Sequence, residues 1–108
     1  MTKVGEHVTF DIIGTQKEYN SKFYEKLVYK IAKKAKVVVL EISKYKFQPQ
    51  GFTLVALLAE SHISFHTFPE NGIISFDFFT CGKVSPSVAL KIIKAVSYTH
   101  LTLPTTTI

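Results

Sequence analysis

Hydrophobic and polar residues alternate from His7 to Ile13, with Val8, Phe10 and Ile12 set against Thr9 and Asp11. That is the period of a half-buried strand, and Gly14 ends it. From Asn20 or Ser21, either of which can cap a helix, Phe23, Leu27, Val28, Ile31 and Ala35 recur at helical spacing. Val37 to Ser43 is rich in β-branched residues and reads as a strand. Phe47 to Gly51 reads as a loop, because Pro49 cannot continue a ladder and Gly51 tolerates a turn. Phe52 to Ala59 is almost entirely apolar, which predicts a central strand covered on both faces. A polar break at Glu60, Ser61 and His62 follows, and His62 to Phe68 and Ile73 to Thr80 then read as a hairpin around Asn71 and Gly72. Ser85 and Pro86 offer a cap and a first helical position for a second helix with Val88, Ala89, Ile92, Ile93 and Val96 on its apolar side.

The order β-α-β-β-β-β-α, with one further strand, predicts an α+β two-layer sandwich: a mostly antiparallel sheet with two helices packed on one face. Residues 1–96 form a single domain in this reading. The tail 97–108 is uncharged and unlike what precedes it, and reads either as a natural edge strand or as a non-native ending left by a frameshift or by cloning. No functional residue is placed there.

If Asn71 and Gly72 form a two-residue turn, His66 faces Asp77, His62 faces Cys81 and Phe68 faces Ser75, all on one sheet face. Ile63, Phe65, Ile74, Phe76 and Phe78 then point to the helix-covered side. In that register Asp77 orients or charges His66. A four-residue loop would instead bring Ser75 opposite.

With 108 residues, 46% hydrophobic and 19% charged, the chain suits one packed domain. Its one cysteine, Cys81, excludes an internal disulfide and suits a reducing cytoplasm. No signal peptide opens it, and the apolar runs at Val37 to Leu40 and Phe52 to Ala59 are too short to span a bilayer, so no membrane partner is expected. The net charge of +5 comes largely from lysines between Lys17 and Lys46, which a solvated helix face explains without nucleic acid. A zinc site is not expected: there is a single cysteine, and His62 and His66 on one strand do not converge. Taken singly, Ser61, Cys81 and these histidines read as turn, packing and surface residues.

Jointly they say more. Pro49, Gly51, Glu60, Ser61, His62, His66, Pro69, Glu70, Gly72, Asp77, Thr80, Cys81 and Gly82 closely resemble the self-processing heart of the short prokaryotic S-adenosylmethionine decarboxylases. The combination of E-S-H, H-T-x-P-E and a distant T-C-G is specific. The likeness is strong from about Phe47 to Gly82, weaker from Gly5 to Tyr45, and fails after about Val96. Thr53 matches after a small gap difference.

The resemblance implies a pyruvoyl-dependent enzyme that cuts itself between Glu60 and Ser61 and turns Ser61 into a terminal pyruvoyl group. Decarboxylation needs an electron sink that no ordinary side chain supplies, and the sequence shows no fingerprint for a separate cofactor. By the family match His66 assists the cut, Thr53 is a helper hydroxyl, and Cys81 returns a proton to carbon. A buried apolar site would keep that thiol neutral. Phe47 and Phe68 would flank the adenine, Phe68 replacing the commoner tryptophan, and Glu70 would meet the ribose. The same resemblance implies S-adenosylmethionine as substrate, a product used in spermidine and other polyamine synthesis, and a homodimer with the substrate near its interface. Two alternatives stay open: an arginine or ornithine decarboxylase on this scaffold, and an unprocessed partner subunit or basic binding module.

Overall fold

The computed structural model describes residues 5–13, 20–81, 87–97, 100–102 and 105–107, with side chains as far as residue 93. Its elements run β1 (Glu6–Ile13), α1 (Ser21–Ala35), β2 (Val39–Lys46), β3 (Phe52–Leu58), β4 (Ser61–Phe68), β5 (Ile73–Thr80), α2 (Ser87–Ser97), β6 (His100–Thr102) and β7 (Thr105–Thr107). The expected ends at Gly14, at Ser85 with Pro86, and at Gly82 lie outside the described residues, as does the side chain of Val96.

One antiparallel sheet has the order β2-β3-β4-β5-β1-β6, and β7 also pairs with β1. β6 and β7 keep one register along β1, β6 beside Asp11 to Ile13 and β7 beside Glu6 to Val8. His100–Thr102 and Thr105–Thr107 are therefore strand at the sheet edge.

α1 begins where the sequence predicts. Asn20 accepts a hydrogen bond from the Phe23 amide through its side chain at 3.0 Å, which satisfies one of the free N–H groups of the first turn. Lys36, at φ 60°, closes the other end and returns its amide to the carbonyls of Ala32 and Lys33. Tyr24, Leu27, Val28, Ile31, Ala32 and Ala35 are buried, and the lysines at 22, 26, 30, 33, 34 and 36 are exposed. Ala89, Ile92 and Ile93 of α2 join the same core.

From the sheet this core receives Phe10, Leu54, Ala56, Leu58, Ile63, Phe65, Ile74, Phe76 and Phe78. Phe65 packs with Phe76 at 4.9 Å and with Tyr24 at 5.2 Å between ring centroids, so helix and sheet interlock through aromatic side chains. The helix-facing set expected from strand alternation is the one buried.

Two expectations change. β3 is covered on one face only: Leu54, Ala56 and Leu58 are buried, whereas Val55 and Leu57 are 42% and 51% exposed. An apolar run cannot reveal which of its faces is left open. β2 runs to Lys46 rather than stopping near Ser43, because β3 offers a partner as far as Phe52. As an edge strand it carries Lys44 and Lys46, charges that discourage further pairing.

Candidate active site

The β3-β4 ribbon carries chemistry at both of its ends. At one end Ala59 and Glu60 alone join the strands, since Leu58 pairs directly with Ser61. The Ala59 amide is anchored to the Val38 carbonyl at 2.9 Å. The turn then holds Glu60 at φ 61°, in the left-handed region that disfavours any side chain by about 1–2 kcal/mol. Glu60 is exposed, while Ser61 beside it is only 7% exposed. The Ser61 hydroxyl oxygen is buried and has no hydrogen-bond partner among the described residues. A buried orphan of this kind is destabilising by roughly 1–3 kcal/mol. Two unfavourable features thus adjoin one peptide bond.

At the other end Thr53 pairs with His66, and Thr53 Oγ1 lies 3.0 Å from His66 Nδ1. A pocket of about 380 Å³ opens there, lined by Phe47, Gln50, Thr53, His66, Phe68 and Glu70, with Gly51 and Thr67 behind them. Gly51 has φ 102°, and a side chain at that position would meet the Thr67 carbonyl at 3.4 Å, so the loop passes close to β4 because no side chain intervenes. Phe47 and Phe68 are 47% and 42% exposed. They are pocket walls rather than core. The Gln50 side-chain amide donates to Glu70 Oε2 at 3.0 Å.

The hairpin register corrects the sequence reading. Pro69–Asn71 form a 3₁₀ turn that Gly72 closes at φ 64°, its amide bonded to the Pro69 carbonyl. The four-residue connection moves the pairing, so His66 faces Ser75, Ser64 faces Asp77, His62 faces Phe79 and Phe68 faces Ile73. Asp77 therefore does not bond His66. Its Oδ1 lies 2.9 Å from His7 Nε2 and 2.8 Å from His62 Nε2, and its Oδ2 accepts from the Ser64 hydroxyl. His7 and Ser64 were absent from the expected site. Nothing local in the sequence shows that β1 lies beside β5, though the alternation does place His7 on the polar side of its strand.

Ser61 and His66 are not brought together within one chain. They stand five residues apart on β4, about 16 Å at strand rise, and alternation puts them on opposite faces. Cys81 is a free thiol, and it is exposed rather than buried in an apolar site.

The S-adenosylmethionine decarboxylase family model matches residues 6–100, nearly the whole described chain. The chain belongs to that family. It is 40% identical over 96 residues to the S-adenosylmethionine decarboxylase proenzyme of Shouchella clausii, covering 86% of this chain and 74% of that protein. It is 37% identical over 91 residues to the proenzyme of a Geobacillus species, covering 82% and 73% of the two chains. The crystal structure of the adenosylmethionine decarboxylase from Aquifex aeolicus superposes with a TM-score of 0.84 at 30% identity, covering 98% of this chain and 91% of that one. The decarboxylase fold is thus the sandwich described above. No helix among the described residues is long and apolar enough to cross a membrane.

The family is pyruvoyl-dependent, and the residues at the β3-β4 turn fit the making of such a group. An unpartnered serine hydroxyl sits next to an exposed carbonyl-bearing residue held in an unfavourable conformation.

Proposed function

We infer that the chain cuts itself between Glu60 and Ser61, and that Ser61 becomes the pyruvoyl group with which the enzyme decarboxylates S-adenosylmethionine. The observation carrying this reading is the orphaned Ser61 hydroxyl beside Glu60 at φ 61°. The uncut chain holds free energy there that breaking the bond releases. Ser61 Oγ attacks the Glu60 carbonyl carbon as the C–N bond breaks, which leaves an ester. Removal of the Ser61 α-proton expels the Glu60 carboxylate. Uptake of water and loss of ammonia complete the keto group. That group supplies the electron sink that decarboxylation requires.

The other residues bind, orient and move protons. The Thr53 hydroxyl and the His66 imidazole, 3.0 Å apart, form a donor and base pair suited to the oxyanion and to the α-proton. Cys81, exposed and thiol-bearing, is the acid that returns a proton to carbon. Phe47 and Phe68 present their rings to the adenine, and Glu70 presents acceptors to the ribose hydroxyls.

Because His66 stands about 16 Å from Ser61 on the opposite face, these groups act together only across two chains. A second copy of the chain completes the site, the Thr53-His66 end of each chain serving the Ser61 end of the other.

Intact mass measurement tests the cut. Wild-type protein should give two chains, one ending at Glu60 and one beginning at residue 61, and Ser61→Ala should stay whole. Carbon dioxide release with S-adenosylmethionine, arginine and ornithine side by side tests the substrate, and only the first should be turned over. A wild-type chain that remains whole overturns the reading.

A further inference from the structure

We propose that His7, His62 and Asp77 form a binding site for a borderline divalent transition-metal ion of the zinc or cobalt type. The site uses none of the residues assigned above to cleavage or turnover, and it does not depend on those assignments.

Three neighbouring strands build it. Phe79 of β5 pairs directly with His7 of β1 and with His62 of β4, so both histidines flank one phenylalanine on the open face. Asp77, two residues away on β5, is the diagonal neighbour of each. The His62 ring stacks on Phe79 at 5.9 Å and 14°, and the His7 ring meets it edge-on at 6.1 Å and 66°. With the rings so placed, both Nε2 atoms converge on Asp77 Oδ1, at 2.9 and 2.8 Å. One donor atom from each of the three residues lies within 4.8 Å of the others. Behind them Ser64, itself 6% exposed, donates its hydroxyl to the second oxygen of Asp77 and holds the carboxylate in place. An outer hydrogen bond of this kind orients a metal ligand.

The donor set selects the ion. Two imidazole nitrogens and one carboxylate oxygen suit zinc, cobalt or nickel, whereas magnesium and calcium prefer all-oxygen surroundings. With metal–ligand bonds of about 2.0–2.1 Å, tetrahedral donors stand about 3.3 Å apart, so each Nε2 moves about half an ångström away from Asp77 Oδ1 when the site loads. On loading, the ion takes the Nε2 lone pairs, and any proton carried there leaves to Nδ1 or to solvent. Three protein donors leave a fourth position for water or another group. The side chains of His7, His62 and Asp77 are 26%, 43% and 23% exposed, so an ion can enter from the open face.

The test uses untagged full-length protein freed of metal by a chelator, both as purified and as the Ser61→Ala chain, so that a failure of self-cleavage does not confound it. Cobalt is followed by its visible absorption and zinc by calorimetry. Each should bind at one equivalent per chain, and cobalt should develop the intense bands of a low-coordinate site. His7→Gln, His62→Gln and Asp77→Asn should each weaken binding by about tenfold or more. His66→Ala and His100→Ala should bind as the parent does. Circular dichroism checks that each variant folds, and if Asp77→Asn does not, the two glutamine variants carry the test. Absence of saturable binding, or binding that survives the His7 and His62 changes, overturns the proposal and leaves a hydrogen-bonded cluster that holds no metal.

Discussion

The two ends of the β3-β4 ribbon belong to the same pair of strands and share one register, yet they are built on opposite principles. At the Ser61 end a two-residue connection forces a left-handed glutamate and strands a hydroxyl without a partner. At the Thr53-His66 end the polar groups are paired: Thr53 with His66, and Gln50 with Glu70. There the unfavourable conformation falls on Gly51, which tolerates it. In the proposed function one end breaks a bond and the other holds a ligand. An enzyme that makes its own prosthetic group needs both, and within one chain the sheet keeps them apart.

Crossing two disabled chains challenges that division most strongly. Ser61→Ala and His66→Ala should each remain uncut alone, whereas refolding them together should restore cleavage of the His66→Ala chain, read by intact mass. Cleavage of isolated His66→Ala at the parental rate would show that the two ends do not cooperate.

A smaller effect is expected at the pocket. Phe68→Ala should raise KM for S-adenosylmethionine by about tenfold, the loss of one stacked ring, while the chain still cuts itself. Equal loss of cleavage would show that the pocket end shapes the turn end. The smallest effect concerns backbone strain. In a Ser61→Ala background, Glu60→Gly should stabilise the uncut chain by up to about 1 kcal/mol in denaturant unfolding, by relieving φ 61°. With Ser61 present, the same change should slow cleavage. No gain in stability would place the strain elsewhere.

Much of this was legible along the chain. The period of β1, the Asn20 cap, the lysine-lined face of α1 and the alternation in β4 and β5 are local consequences of side-chain spacing, and each is found in the fold. The residues expected around the adenine and ribose, Phe47, Phe68 and Glu70, line one pocket with Thr53 and His66. The pairing of Asp77 was misread because a 3₁₀ turn from Pro69 competes with a tight turn at Asn71 and Gly72, and the difference moves every cross-strand partner. Face assignments survive that change and partners do not, because a shift of two residues in the pairing preserves alternation.

The amino-acid order alone determined which residues alternate, which recur at helical spacing, and which rare combination around Ser61 marks the family, since these are properties of neighbours in the chain. Tertiary structure decided that β1 lies beside β5 and so places His7 against Asp77, that Val55 and Leu57 remain uncovered, and that Ser61 and His66 lie on opposite faces. Such relations come from which strands pair and how long their connections are. They are therefore set by the packing of the whole sheet, which no single stretch of sequence contains.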